Sequence, residues 1–212
     1  MKQSHITFPC GGLKLEGIYY EVEGETGVSA VVVCHPHPLY GGSMHNNVIY
    51  AIADALAAKA IAALIFNFRG VGGSEGRHGG GVDEQQDIKA ALDWLENQPG
   101  VDRGKLGLAG YSFGAAVALP VACVDGRVRG AAFISPYLER SHVSLLKSYR
   151  KPKLLVSGSR DNMVLPDDVA AYYSEAVEPK KLEIIHGSDH FWGGYEDKMA
   201  DAVAEFFGGL FK

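Results

Sequence analysis

Short apolar runs alternate along this chain with longer stretches in which apolar residues recur every three or four positions. The runs lie at 30–34, 61–66, 105–109, 130–134, 153–156 and 182–185. Their continuous hydrophobicity suits strands covered on both faces. Between them, Met44, Val48, Ile49, Ile52, Ala53 and Leu56 form a helical stripe. Ile88, Ala91, Leu92 and Leu95 form a second, carried on to Pro99, with Asp83 placed as its cap and Gln86 as the box partner. The small-residue run 115–123 reads as a helix, as do the stretches carrying Val169, Tyr172, Tyr173 and Ala176 after Pro166, and Met199, Val203, Phe206 and Phe207. Two strands come first, at 6–8 and 13–20, divided by Pro9-Cys10-Gly11-Gly12, which reads as a hairpin turn. The alternation predicts an α/β fold: one domain over residues 1–212, with a mostly parallel doubly wound sheet and antiparallel N-terminal strands.

Composition narrows the function classes. A chain of 212 residues with 47% apolar and 21% charged residues fits one soluble globular domain. A net charge of −5 gives no basic footprint for nucleic acid and no attraction to an anionic membrane. Cys10, Cys34 and Cys123 are odd in number and widely spaced, which suits a reducing compartment better than a disulfide framework. The first residues carry no apolar leader, so the expected location is the cytoplasm. A homodimer is compatible with all of this.

The stretch with the most chemistry is Gly110-Tyr111-Ser112-Phe113-Gly114, between the run at 105–109 and the helix at 115–123. Strand, sharp turn, helix is the geometry that lifts a serine hydroxyl to where a base can reach it. The glycines answer to steric room at the tightest part of the turn. The pentapeptide alone is a weak signal in a chain with 27 glycines, and an ordinary strand-to-helix turn would also fit it.

Ligands in such sheets sit at the carboxyl ends of the strands. The strand at 153–156 leads to Asp161, and the strand at 182–185 leads to His190. Serine, aspartate, histidine is the chain order of a nucleophile-elbow hydrolase. Each residue also has a plainer reading. Asp161 alone is equally a turn residue. Asp167 and Asp168 are rival acids, but at a helix N-terminus they answer to the dipole. Asp189 neighbours His190 in sequence and points elsewhere. His186 lies nearer the strand and is expected to pack within the sheet. The loop 35–43 is the place for a second oxyanion donor beside Phe113 N–H. Pro36 and Pro38 have no N–H, which leaves His37. His35 and His37 suggest a metal pair, yet no third or fourth ligand clusters with them, so no metal is expected. Arg69 reads as a loop anchor or, less simply, as an anion clamp.

Together these residues resemble the α/β-hydrolase superfamily. The pairing of residues 35–42 with 67–74 is more specific and is similar to a small lidless bacterial branch near the dienelactone-hydrolase-like proteins. The resemblance runs from about residue 6 to the C-terminus. Many superfamily members read His-Gly-x-Pro in the oxyanion loop; here Pro36 stands in the glycine place and His37 at x, as in the branch. Dienelactone hydrolases proper carry Cys in the elbow, where this chain has Ser112. The resemblance implies a serine hydrolase of small carboxylic esters, thioesters or lactones, working without a cofactor on a small-molecule acyl substrate. An acyltransferase, a small peptidase or a non-catalytic binding protein on the same fold are the alternatives. Only residues 137–151 separate two strands where many relatives insert a helical lid, leaving room for one short helix. A shallow pocket walled by Tyr40, Phe113, Tyr137 and Trp192 is expected, favouring acyl groups up to about four to six carbons.

Overall fold

The computed structural model describes residues 2–212. β1 (Lys2–Cys10) and β2 (Leu13–Glu21) form an antiparallel hairpin closed by Gly11 and Gly12, whose φ values of 53° and 90° suit glycine best. Pro9 lies inside β1, tolerated because β1 is an edge strand. β2 pairs antiparallel with β4 (Ala62–Phe66). β3 (Val28–Cys34), β5 (Val101–Tyr111), β6 (Val128–Ile134), β7 (Lys153–Gly158) and β8 (Lys180–Ile185) complete a parallel set with β4. The eight strands form one sheet in the order β1-β2-β4-β3-β5-β6-β7-β8.

Side chains alternate across the strands, and the helices cover both faces. Val32, Leu64 and Leu108 point to the layer under α2 (Glu84–Leu95) and α3 (Phe113–Val124). Val31, Val33, Ile65 and Ala109 point to the layer under α1 (Asn47–Ala58) and α6 (Glu196–Leu210). α5 (Pro166–Glu175) packs beside β7 and β8 near the other edge. Among the described residues no helix is long and apolar enough to cross a membrane.

Several boundaries differ from the sequence reading. α1 begins after Asn46, whose side chain accepts from Val48 N–H at 3.0 Å. Met44 therefore precedes the helix, its own N–H donating to Asn67 Oδ1 at 2.8 Å. Asp83 makes no side-chain cap: its backbone is already helical, which turns the carboxylate away from the first amides. It lies instead 3.7 Å from Arg69 Nη1. α2 stops at Leu95, well short of Pro99. Within the loop expected to lack helix, Pro38–Tyr40 make one 3₁₀ turn, with His37 Nδ1 accepting from Leu39 N–H at 3.2 Å. α4 (Arg140–Leu146) is the one short helix expected between β6 and β7.

Candidate active site

The turn from β5 into α3 is as tight as its sequence suggests. Ser112 sits at φ 53°, ψ −113°, a conformation rare for a residue with a side chain. Its N–H donates to Ile134 O at 2.9 Å, which holds the turn against β6. A Cβ on Gly114 would stand 2.3 Å from Cys34 O, and one on Gly110 would stand 2.4 Å from Gly114 O. Both contacts are with backbone, so α3 can approach β3 this closely only with glycine at these two positions.

Three strand ends then meet. His190 Nε2 lies 3.2 Å from Ser112 Oγ, and His190 Nδ1 lies 2.8 Å from Asp161 Oδ2. The second carboxylate oxygen, Asp161 Oδ1, accepts from Met163 N–H at 2.9 Å and Val164 N–H at 2.8 Å. Burial alone would raise the Asp161 carboxyl, but hydrogen bonds from His190 and Val164 overcome it and hold the group below its ordinary value. An ionised Asp161 fixes the proton on His190 Nδ1 and leaves Nε2 free to accept from Ser112. His190 is buried.

The rival residues are employed elsewhere. Asp189 Oδ1 accepts from the Phe191 and Trp192 amides at 2.9 and 3.2 Å, a turn role. Asp167 and Asp168 occupy the first turn of α5. His186 does not pack within the sheet: it is exposed, because β8 is the sheet edge. Arg69 anchors its loop, donating from Nη2 to Asp87 Oδ1 at 2.7 Å and from Nε to both carboxylate oxygens. Cys10 Sγ donates to the same carboxylate, and burial together with that contact pushes the thiol up to about 11.

The N–H groups of His37 and Phe113 have no hydrogen-bond partner among the described residues, and the two side-chain rings pack with centroids 4.7 Å apart. His35 is fully buried with both ring nitrogens engaged, Nδ1 with Pro36 O at 2.6 Å and Nε2 with Phe68 N–H at 3.0 Å. It ties the loop after β3 to the loop after β4, and its ring has no nitrogen left for a metal.

A trough of ≈440 Å³ opens beside the elbow, starting at His37 and Phe113 and running along α3 past Ala116, Val117 and Pro120. Of the expected pocket residues, Phe113 and Tyr137 line it. Tyr40 does not; it is 87% exposed, with its ring edge-on to His37. Trp192 is a correction: it is fully buried in the core under α1 and α6, where its large ring is removed from water, with its backbone at φ 65°. Gly80, Gly81, Val82, Gln85 and residues of α4 also line it. The segment carrying α4 was expected from sequence as a short helix beside the site; Gly80, Gly81, Val82 and Gln85 were not expected to wall the pocket, and the Gly79-Gly80-Gly81 run, which keeps a loop close to α3, was their signal.

Known proteins resemble this chain in sequence and in fold. The profile described as X-Pro dipeptidyl-peptidase (S15 family) matches residues 22–140, and that described as BAAT / Acyl-CoA thioester hydrolase C terminal matches residues 88–205. The uncharacterized protein RP471 of Rickettsia prowazekii is 32% identical, over 97% of this chain and 88% of that one. An alpha-beta serine hydrolase homologue from Coxiella burnetii superposes with a TM-score of 0.87 at 31% identity, covering 97% of both chains. The Xanthomonas campestris protein XC6422, described as a serine hydrolase without lid, superposes with a TM-score of 0.84 at 28% identity, over 97% of this chain and 94% of that one.

Proposed function

Because the chain belongs to the α/β-hydrolase superfamily, we propose that it is a serine hydrolase cleaving small carboxylic esters or thioesters through an acyl-enzyme on Ser112. The observation that carries this reading is the unbroken Ser112–His190–Asp161 chain, 3.2 and 2.8 Å per link.

In the first step Ser112 Oγ attacks the substrate carbonyl carbon while its proton passes to His190 Nε2. The carbonyl oxygen becomes an oxyanion and takes hydrogen bonds from His37 and Phe113 N–H. As the tetrahedral centre collapses, His190 returns the proton to the leaving oxygen or sulfur. Water then enters by the same route in reverse: His190 takes its proton, hydroxide adds to the acyl carbon, and Ser112 leaves protonated. Asp161 keeps the imidazole in the required tautomer and balances its transient charge. No step calls for a cofactor.

The match to an acyl-CoA thioester hydrolase profile supports thioesters as well as oxygen esters. The match to an S15 peptidase profile favours one second reading, an amide bond of a short peptide. The test is labelling with a fluorophosphonate, followed by a panel of p-nitrophenyl esters, thioesters, lactones and aminoacyl anilides. Wild-type protein should be labelled and Ser112→Ala should not, with the fold intact. Labelling that survives in Ser112→Ala would remove the proposal.

A further inference from the structure

The loop between β4 and α2 lies against both residues of the assigned oxyanion site. The rings of His37, His78 and Phe113 form one cluster, with centroids 4.7 Å apart for His37 and Phe113, 5.2 Å for His37 and His78, and 5.6 Å for His78 and Phe113. A Cβ on Gly81, at φ 88°, would stand 3.4 Å from Phe113 Cε2, so the loop backbone lies close to that ring. Phe68, fully buried, meets Phe113 edge-on at 5.9 Å. The Phe113 ring is thus held by a core aromatic and by the loop.

One buried carboxylate gathers that loop. Glu84 opens α2, and its side chain is wholly buried. Its Oε1 accepts from Gly79 N–H at 2.7 Å and its Oε2 from Gly81 N–H at 2.8 Å. His78 Nδ1 lies 2.9 Å from the same Oε1. The two amides and the helix N-terminus offset the cost of burying the charge. The His78 side chain is 20% exposed, and its contact with the carboxylate selects the rotamer that lays the ring against His37 and Phe113. On the His37 side, Nδ1 accepts from Leu39 N–H at 3.2 Å, and the carbonyl accepts from Tyr40 and Gly42 N–H at 3.1 and 3.0 Å. Ring and carbonyl of His37 are therefore both fixed, while its N–H stays free.

We propose that Glu84 and His78 are positioning residues for the oxyanion site, acting through the His37 and Phe113 rings on the direction of the two backbone N–H groups. The inference rests on Ser112 being the nucleophile and on these N–H groups receiving the oxyanion. Neither Glu84 nor His78 touches the reacting atoms. The negative oxygen forms only once Ser112 Oγ has added to the carbonyl carbon. A slight misdirection of the donors is therefore felt in the transition state and hardly in the ground-state complex.

The test uses the full chain carrying His78→Ala, Glu84→Gln or both, with thermal melts to report folding. On p-nitrophenyl acetate His78→Ala should lower kcat about tenfold and leave KM within about twofold, less than the roughly 10²–10³ that loss of a whole donor costs. A trifluoromethyl ketone reads the site directly. Ser112 Oγ adds to its carbonyl carbon, the serine proton passes to His190, and the ketone oxygen becomes an oxyanion facing the same two donors. Its Ki should rise about tenfold in His78→Ala. Glu84→Gln should change kcat and Ki in the same direction, and the double variant should lose little beyond the larger single loss. If Glu84→Gln fails to fold, His78→Ala decides alone. Unchanged kcat and Ki in His78→Ala would overturn the proposal. So would a loss carried wholly by KM, or losses that add in full in the double variant. Wild-type protein that a fluorophosphonate does not label would instead remove the serine-hydrolase reading beneath it.

Discussion

Tyr111 Oη donates a hydrogen bond to the backbone carbonyl of His190 at 2.7 Å. The residue before the assigned nucleophile thus holds the loop that carries the assigned base, and both rings are buried, 5.5 Å apart. Tyr111→Phe keeps the shape and leaves that carbonyl unpaired. We expect kcat to fall about tenfold with little change in KM, since the loss falls on alignment more than on binding. Steady-state kinetics on a short ester decides it; an unchanged kcat would mean that the other contacts of the loop, among them the Asp161 bond and the Asp189 turn, hold it without this one.

Asp161→Asn should lower kcat by roughly 10⁴-fold, because an amide cannot fix the imidazole tautomer. Combined with His190→Ala it should add little further loss, as the two act as one unit. Asp189→Asn retains a side-chain oxygen for the Phe191 and Trp192 amides and should stay within a few-fold of wild type. Equal losses in Asp161→Asn and Asp189→Asn would show that the acid is misassigned.

Gly114→Ala places a Cβ 2.3 Å from Cys34 O, a contact only backbone movement relieves. Helix propensity by itself would favour alanine by ~1 kcal/mol. The clash should reverse that sign, to a destabilisation of roughly 2–3 kcal/mol or outright insolubility. Urea denaturation measures it, and an unchanged or raised midpoint would contradict the close approach of α3 to β3.

Arg69 is the partner of Asp87, whose side chain is wholly buried. Arg69→Met leaves that carboxylate uncompensated and should cost about 3–5 kcal/mol. Replacing both, as Arg69→Met with Asp87→Leu, should recover a large part of the loss. A double variant no better than the single one would show that the hydrogen bonds to the loop backbone dominate over the charge.

His35 makes stability pH-dependent. Burial lowers its imidazole from the ordinary 6.5 to about 4, with the Pro36 carbonyl and Glu84 pulling weakly the other way. Between these values the unfolded chain takes up a proton that the folded chain refuses. Stability is therefore full above pH 6.5 and declines as pH falls toward 4, by about 3 kcal/mol from this one group. Denaturation midpoints at a series of pH values should show the decline, and His35→Gln should flatten it.

Periodicity was enough to determine the α/β class, the order of the strands along the chain and the antiparallel opening. A strand buried on both faces must be continuously apolar, and a helix covering it must carry a stripe. Ser112, Asp161 and His190 were legible for a related reason: a parallel sheet presents its loops at one end, and the residue types after three of those strands matched a known chemistry. The exact boundaries of α1 and α2 were not legible, because Asn46 and Asp83 are both good caps by type and only backbone conformation separates them. Trp192 was misplaced because an aromatic residue two positions from His190 says nothing about direction; its ring joins the core under α1 and α6. His186 was misplaced because strand order in the sheet, which puts β8 at the edge, is set by long-range pairing. The trough is of the same kind. Its walls come from the loop carrying Gly80–Val82, from α3 and from α4, segments that no local pattern connects. They are brought together by packing of α2 and α4 against α3.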